Sequence, residues 1–207
     1  MRNIITILIF SVSLTISSQT NYHEGMQQAF GLWGQQKNTE AVHMFERIAN
    51  AEQTNWVPYY YAAQVEVTSS FGEKDVTVLD ANLKKGQLYL DKAMTISKDN
   101  PELLVLQALL YTAWVAYDGA TYGRKYSKKI NKLYEKAEKI APENPRAAYC
   151  HAEWNIGAAK FFGNDIQPFV KDLEKSLDLF ATFELPSPFY PNWGEERAKV
   201  LLESYKS

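Results

Sequence analysis

Four prolines fall at nearly even intervals along the chain, Pro58, Pro101, Pro145 and Pro191, with spacings of 43, 44 and 46 residues. Each opens a similar segment: PYYYAAQV, PELLVLQA, PRAAYCHA and PNWGEERA. Six residues after each proline the side chain is polar (Gln64, Gln107, His151, Arg197), and the next is small or compact (Val65, Ala108, Ala152, Ala198). A repeat of this length builds a fold from stacked supersecondary units, because no single unit can bury its apolar side alone.

The units read as helical pairs. Apolar residues recur at helical spacing, as in Ala41, Phe45, Ile48 and Ala49. The spacing predicts helices over 22–33 and 39–52, 58–70 and 79–97, 101–117 and 126–141, 145–161 and 166–183, with a closing helix over 193–205. Asn38 is expected to cap the second helix. Asn100-Pro101 and Asn144-Pro145 each read as a cap followed by proline at the first helical position, where a missing N–H costs nothing. Polar loops are expected at SFGEKDVT and DGATYGRK. VTVL at 76–79 is the one short strand-like run and is discounted.

The first eighteen residues differ from the rest. Arg2 is their only charge, an apolar run from Ile4 to Ile16 follows, and Ser17 and Ser18 end it. This is the pattern of a secretory signal peptide, with a run short of the ~20 residues of a bilayer span. The expected domains are therefore 1–18, a signal peptide, and 19–207, a helical repeat domain in the periplasm or outside the cell. The whole chain carries a net charge of −2, which points to no polyanionic partner. Cys150 is the only cysteine, so no internal disulfide is available, and its alanine-rich surroundings suit a buried, inert thiol.

The segment YEKAEKIAPENPRAAYCHA, from Tyr134 to Ala152, resembles the tetratricopeptide repeat: an aromatic at Tyr134, a small residue at Ala137, a proline at Pro142 and a small residue at Ala152 in the following unit. Leu90, Ala93, Ala108 and Tyr111 repeat the match; Ala41 and Phe45 give a weaker one, and Leu173 and Ser176 the poorest. The units are about ten residues longer than the family's 34, with the excess expected between paired helices at 71–78, 118–125 and 162–165. The C-terminal third, with its FFG turn and PNWG, is similar to small exported tetratricopeptide-like proteins of Gram-negative bacteria. The resemblance implies an all-α superhelical solenoid of about four hairpins plus a capping helix. It also implies a concave groove lined by the first helices, where Tyr59, Glu66, Glu102, Arg146, Tyr149 and Glu153 would meet a ligand.

Catalytic signatures are missing from the sequence. His23, His43 and His151 form no zinc-binding spacing, and no P-loop, GxGxxG or GxSxG run occurs. Glu195 and Glu196 suit the first turn of a helix. The stretch from Arg124 to Lys139 holds seven basic residues and two acids; it reads as a solvated convex face, or as a site for anionic glycan or lipid headgroups. The tryptophans read mostly as core. The expectation is a non-enzymatic scaffold or binding protein of the cell envelope that takes a protein or extended peptide, with no cofactor, no metal, no nucleic acid and no stable membrane insertion after leader removal. The alternatives are a carbohydrate-active or hydrolase-type site among Glu66, Glu102, Glu153 and His151, and a structural oligomerisation subunit.

Overall fold

The computed structural model describes residues 21–206; the expected signal peptide lies outside them. Nine helices run through the described residues: α1 over 21–34, α2 (Asn38–Ala51), α3 (Val57–Ser69), α4 (Val76–Ile96), α5 (Pro101–Tyr117), α6 (Gly119–Ile140), α7 (Pro145–Phe162), α8 (Gln167–Thr182) and α9 (Glu195–Lys206). Asn100 and Asn144 cap α5 and α7 by accepting hydrogen bonds from the amides of Glu102 (2.9 Å), Arg146 (3.0 Å) and Ala147 (3.1 Å). At the other end of α7, Gly163 takes the left-handed conformation (φ 70°) that stops the helix.

Several boundaries differ from the sequence reading, for local reasons. Asp75 accepts from the Thr77 amide at 2.7 Å and Asp118 from the Thr121 amide at 3.0 Å. Each aspartate therefore starts a helix where a loop was expected, and VTVL becomes the first turn of α4. In the α3–α4 and α5–α6 units the extra length sits in the second helices, 21 residues in α4 and 22 in α6, whereas α8 has 16. Asn38 lies inside α2, and Lys37 at the cap position makes no side-chain bond. Pro191 does not open a helix, since α9 begins at Glu195.

The sequence period is the physical spacing of the stack. Tyr89 donates to Glu46 across 43 residues, Arg146 to Glu102 across 44, and Arg197 to Glu153 across 44. The central helix, α5, is apolar on nearly every side, as a helix surrounded by others must be. Leu103, Leu106 and Leu110 join the core of α1–α5, while Leu104, Val105 and Ala108 join the core of α5–α9. Ala108 and Ala152 are both buried, in the same second core as Tyr134.

The tetratricopeptide-like solenoid expected above is not the fold. In an open solenoid each unit touches only its neighbours. Here residues 183–194 leave α8 and cross back to the far end of the chain. Phe189 packs on Tyr22 and Phe30, at centroid distances of 5.7 and 5.9 Å. The Trp193 indole donates to the Tyr60 hydroxyl at 2.7 Å, across 133 residues. Pro186, Pro188 and Pro191 keep this strap from coiling into a helix, so its rings are free to fill the inside of the curved stack. Gly194 (φ 109°) ends it, where an added Cβ would lie 3.1 Å from Phe180 and 3.3 Å from Tyr149.

Replacing Ala108 or Ala152 with leucine overpacks the α5–α6–α7 crossing. The expected loss is ~1–3 kcal/mol each, read as a lower thermal midpoint by circular dichroism; unchanged midpoints for both would contradict this packing.

Candidate functional site

The six residues expected in the concave groove divide into two sets. Glu102, Arg146, Tyr149 and Glu153 come together on α5 and α7. Glu102 is 0% exposed and Arg146 1%. The Arg146 Nε donates to Glu102 Oε2 at 2.8 Å, its Nη2 to Oε1 at 2.7 Å, and Asn144 Nδ2 also to Oε1 at 2.6 Å. The strap lies over the guanidinium, with the Phe183 and Tyr190 rings 4.8 and 5.7 Å away. The Tyr149 hydroxyl donates to Glu153 at 2.6 Å, and Arg197 of α9 donates to the same carboxylate at 2.5 Å. Burial pushes the Tyr149 phenol far above its ordinary range. In this set Glu102 and Arg146 are closed off by the chain's own strap, Tyr149 is buried beside them, and Glu153 with Arg197 reaches the surface.

Tyr59 and Glu66 lie apart from it. The Tyr59 hydroxyl donates to Asn50 at 3.0 Å, and its ring stacks near Tyr89, with the Lys92 ammonium 5.2 Å away. Glu66 is nearly buried, close enough to Lys85 and His43 to feel both charges. The acid–base alternative finds no convergence: Glu102 is held by Arg146, Glu153 by Tyr149 and Arg197, and His151 faces Glu138 at 3.0 Å. Burial raises the Cys150 thiol well above its usual range, which leaves it unreactive. Among the described residues no group of three or more His, Cys, Asp or Glu could hold a metal ion.

The exposed chemistry is at one end of the stack. Because α3, α5 and α7 lie side by side as the first helices of successive hairpins, their C-terminal ends share an edge. Phe71, Tyr117, Phe161 and Phe162 are exposed there, with Phe161 at 66% and Phe162 at 73%. The last two meet edge to face, 5.1 Å between centroids. The Phe161 ring also lies flat enough against the α5–α6 corner that a Cβ on Gly119 would be 3.4 Å from it.

The helix leaving that corner is basic. Between Gly119 and Lys132, α6 carries Arg124, Lys125, Lys128, Lys129 and Lys132 and no acid. The helix dipole is positive at this end, so cations here are placed against it. Among the described residues none of the five forms a salt bridge; the nearest in α6 that does is Lys136, paired with Asp99. Lys125 rests over the Tyr126 ring at 4.8 Å, beside a ladder in which Tyr111 stacks on Tyr126 at 4.8 Å and Trp114 meets Tyr122 at 4.7 Å. Lys160 completes the corner, over the Tyr205 ring at 4.2 Å. The sequence reading missed Phe161 and Phe162 as surface residues, although two phenylalanines directly before a helix-ending glycine mark a helix tip.

A second feature is a cavity of about 170 Å³ between the strap and α1, lined by Tyr22, His23, Asn55, Val57, Ser187, Pro188 and Phe189. It is the size of a single ring and has no cationic lining residue.

In fold, the chain is similar to the HusA haemophore from Porphyromonas gingivalis, with a TM-score of 0.78 and 23% sequence identity over 89% of this chain and 92% of that one. No family model and no curated protein matches. The similarity spans almost all of a haemophore chain, and with the strap it replaces the tetratricopeptide-repeat assignment.

Burial raises the Glu66 carboxyl above the ordinary glutamate value, against the opposing pull of Lys85 and His43. A raised carboxyl favours the fold while protonated, below the unfolded value of ~4.3. That contribution is lost as the pH climbs through the folded value. Glu66→Gln should therefore stabilise the protein at neutral pH, with a gain that shrinks toward zero on acidification; urea melts at several pH values test this.

Proposed function

We propose that the chain is an exported, non-enzymatic, all-helical binding protein that carries a haem-type ligand on the corner formed by the ends of α5 and α7 and the start of α6. The observation that carries this reading is the exposed Phe161–Phe162 pair beside cations that rest on aromatic rings and not on acids. Haem is flat and apolar with two carboxylates. Tyr117, Phe161 and Phe162 would cover an apolar face, and Arg124, Lys125 and Lys160 would meet the carboxylates. A large exposed apolar patch on a soluble protein is a binding surface or a liability. The fold shared with a haemophore supports the first.

The chain's part in such binding is stacking and charge. The described histidines lie elsewhere: His23 at the start of α1, His43 in the middle of α2, and His151 on Glu138 in α7. A peptide partner in the concave face is less well supported, since residues 183–194 occupy that space through Phe183, Phe189, Tyr190 and Trp193.

Absorbance titration tests the proposal. Haem and metal-free protoporphyrin should bind with similar affinity, because the rings at the corner, Tyr117 included, meet the macrocycle by stacking and not as ligands of the iron. Phe161→Ala/Phe162→Ala should weaken both by about tenfold or more, some 1.4 kcal/mol, while His23→Ala leaves them unchanged. Affinity that survives the double alanine variant, or that is lost with His23→Ala, would place the ligand elsewhere.

A further inference from the structure

The apolar edge is longer than one flat ligand can cover. Neighbouring helices pack 8–10 Å apart, so the row from Phe71 at the end of α3, past Tyr117 at the end of α5, to Phe162 at the end of α7 spans roughly 20 Å. Val76 and Val78, in the first turn of α4, add exposed apolar surface at the Phe71 corner. The ligand reading above does not use Phe71, Val76 or Val78.

Positive charge is in excess where α6 begins: from Asp118 to Lys132 the one acid is Asp118, which accepts from the Thr121 amide at 3.0 Å, against Arg124, Lys125, Lys128, Lys129 and Lys132. The acids at the neighbouring corners, Glu73, Asp75 and Asp165, each accept from a backbone amide, at 2.8, 2.7 and 2.9 Å. At 1.5 Å of rise per residue, Arg124, Lys125 and Lys128 lie within about 14 Å of the corner where α6 begins. The positive end of the α6 dipole points the same way.

From this geometry we infer that the edge docks on an anionic lipid surface. The aromatic tips enter the headgroup–acyl boundary, and Arg124, Lys125 and Lys128 face the phosphates. Charge complementarity selects the partner: exposed rings at the tips with unpaired cations behind them match an anionic interface. A neutral apolar partner would leave the cations unused. Among the described residues no helix is long and apolar enough to cross a membrane, so the contact is peripheral. The inference does not rest on the haem reading.

The full chain is mixed with vesicles of phosphatidylcholine containing about one-third phosphatidylglycerol, and with vesicles of phosphatidylcholine alone. Sedimentation should show binding to the first and little to the second, decreasing as salt is added. Arg124→Glu/Lys128→Glu should weaken it about tenfold or more, as expected for reversing two charges near the surface. In Phe162→Trp, emission of the new indole should move to the blue on adding anionic vesicles, a readout that a folding defect does not imitate. Phe71→Asp, remote from the proposed haem corner, should weaken vesicle binding and leave porphyrin absorbance titrations unchanged. Equal binding to both vesicles, an unshifted Phe162→Trp emission, or retention on heparin without vesicle binding would overturn the inference. Porphyrin binding lost from wild-type protein that still sediments with vesicles would sink the haem reading alone.

Discussion

The buried pair of Glu102 and Arg146 sets what the rest of the molecule can do. Two charges removed from water cost several kcal/mol each unless every lone pair and N–H is met. Here the carboxylate takes Arg146 and Asn144, and the remaining guanidinium surface is covered by Phe183 and Tyr190. Such a pair is weak evidence for stability but fixes geometry. It locks equivalent positions of two neighbouring hairpins into one register, and its cover is the strap, so the register and the closing of the concave face are one event.

Closure moves the free surface to the periphery. A stack whose inner face is filled by its own chain offers its convex faces, its ends and its edges. Of these, the edge where α3, α5 and α7 end combines the most exposed large rings with cations that no acid neutralises. Packing accounts for the line that runs from buried Tyr149 through Glu153 to Arg197 at the surface, whose polar groups satisfy one another. It does not account for Phe161 and Phe162. Surface apolar area without an internal role is where binding is to be sought.

Much of the helical stack was legible in the sequence. Pro58, Pro101 and Pro145, the Asn100 and Asn144 caps and the small residues Ala108 and Ala152 each report a local requirement, and each appears in the structure at the expected place, whereas Pro191 falls in the strap. The Asp75 and Asp118 caps were equally local and readable, since an aspartate two or three residues before a threonine amide is a helix start. The strap was not legible. Its bonds join residues as far apart as Tyr60 and Trp193, and nothing at either position announces the other. Arg146 misled for a general reason: an arginine is normally at the surface, and only its partner 44 residues earlier makes burial possible. Nothing in the sequence singled out Phe161 and Phe162, because phenylalanine in a helix is as ordinary in a core as at a tip.

Hydrogen–deuterium exchange with and without saturating protoporphyrin tests the central claim, that the inner face is closed by the strap and the ligand sits on the outer corner. New protection should fall on peptides covering 116–125 and 158–164, while 183–194 and the first turns of α5 and α7 exchange as slowly as before. Faster exchange in the strap on binding, with new protection around Glu102 and Arg146, would show that the ligand enters the concave face and would contradict the account.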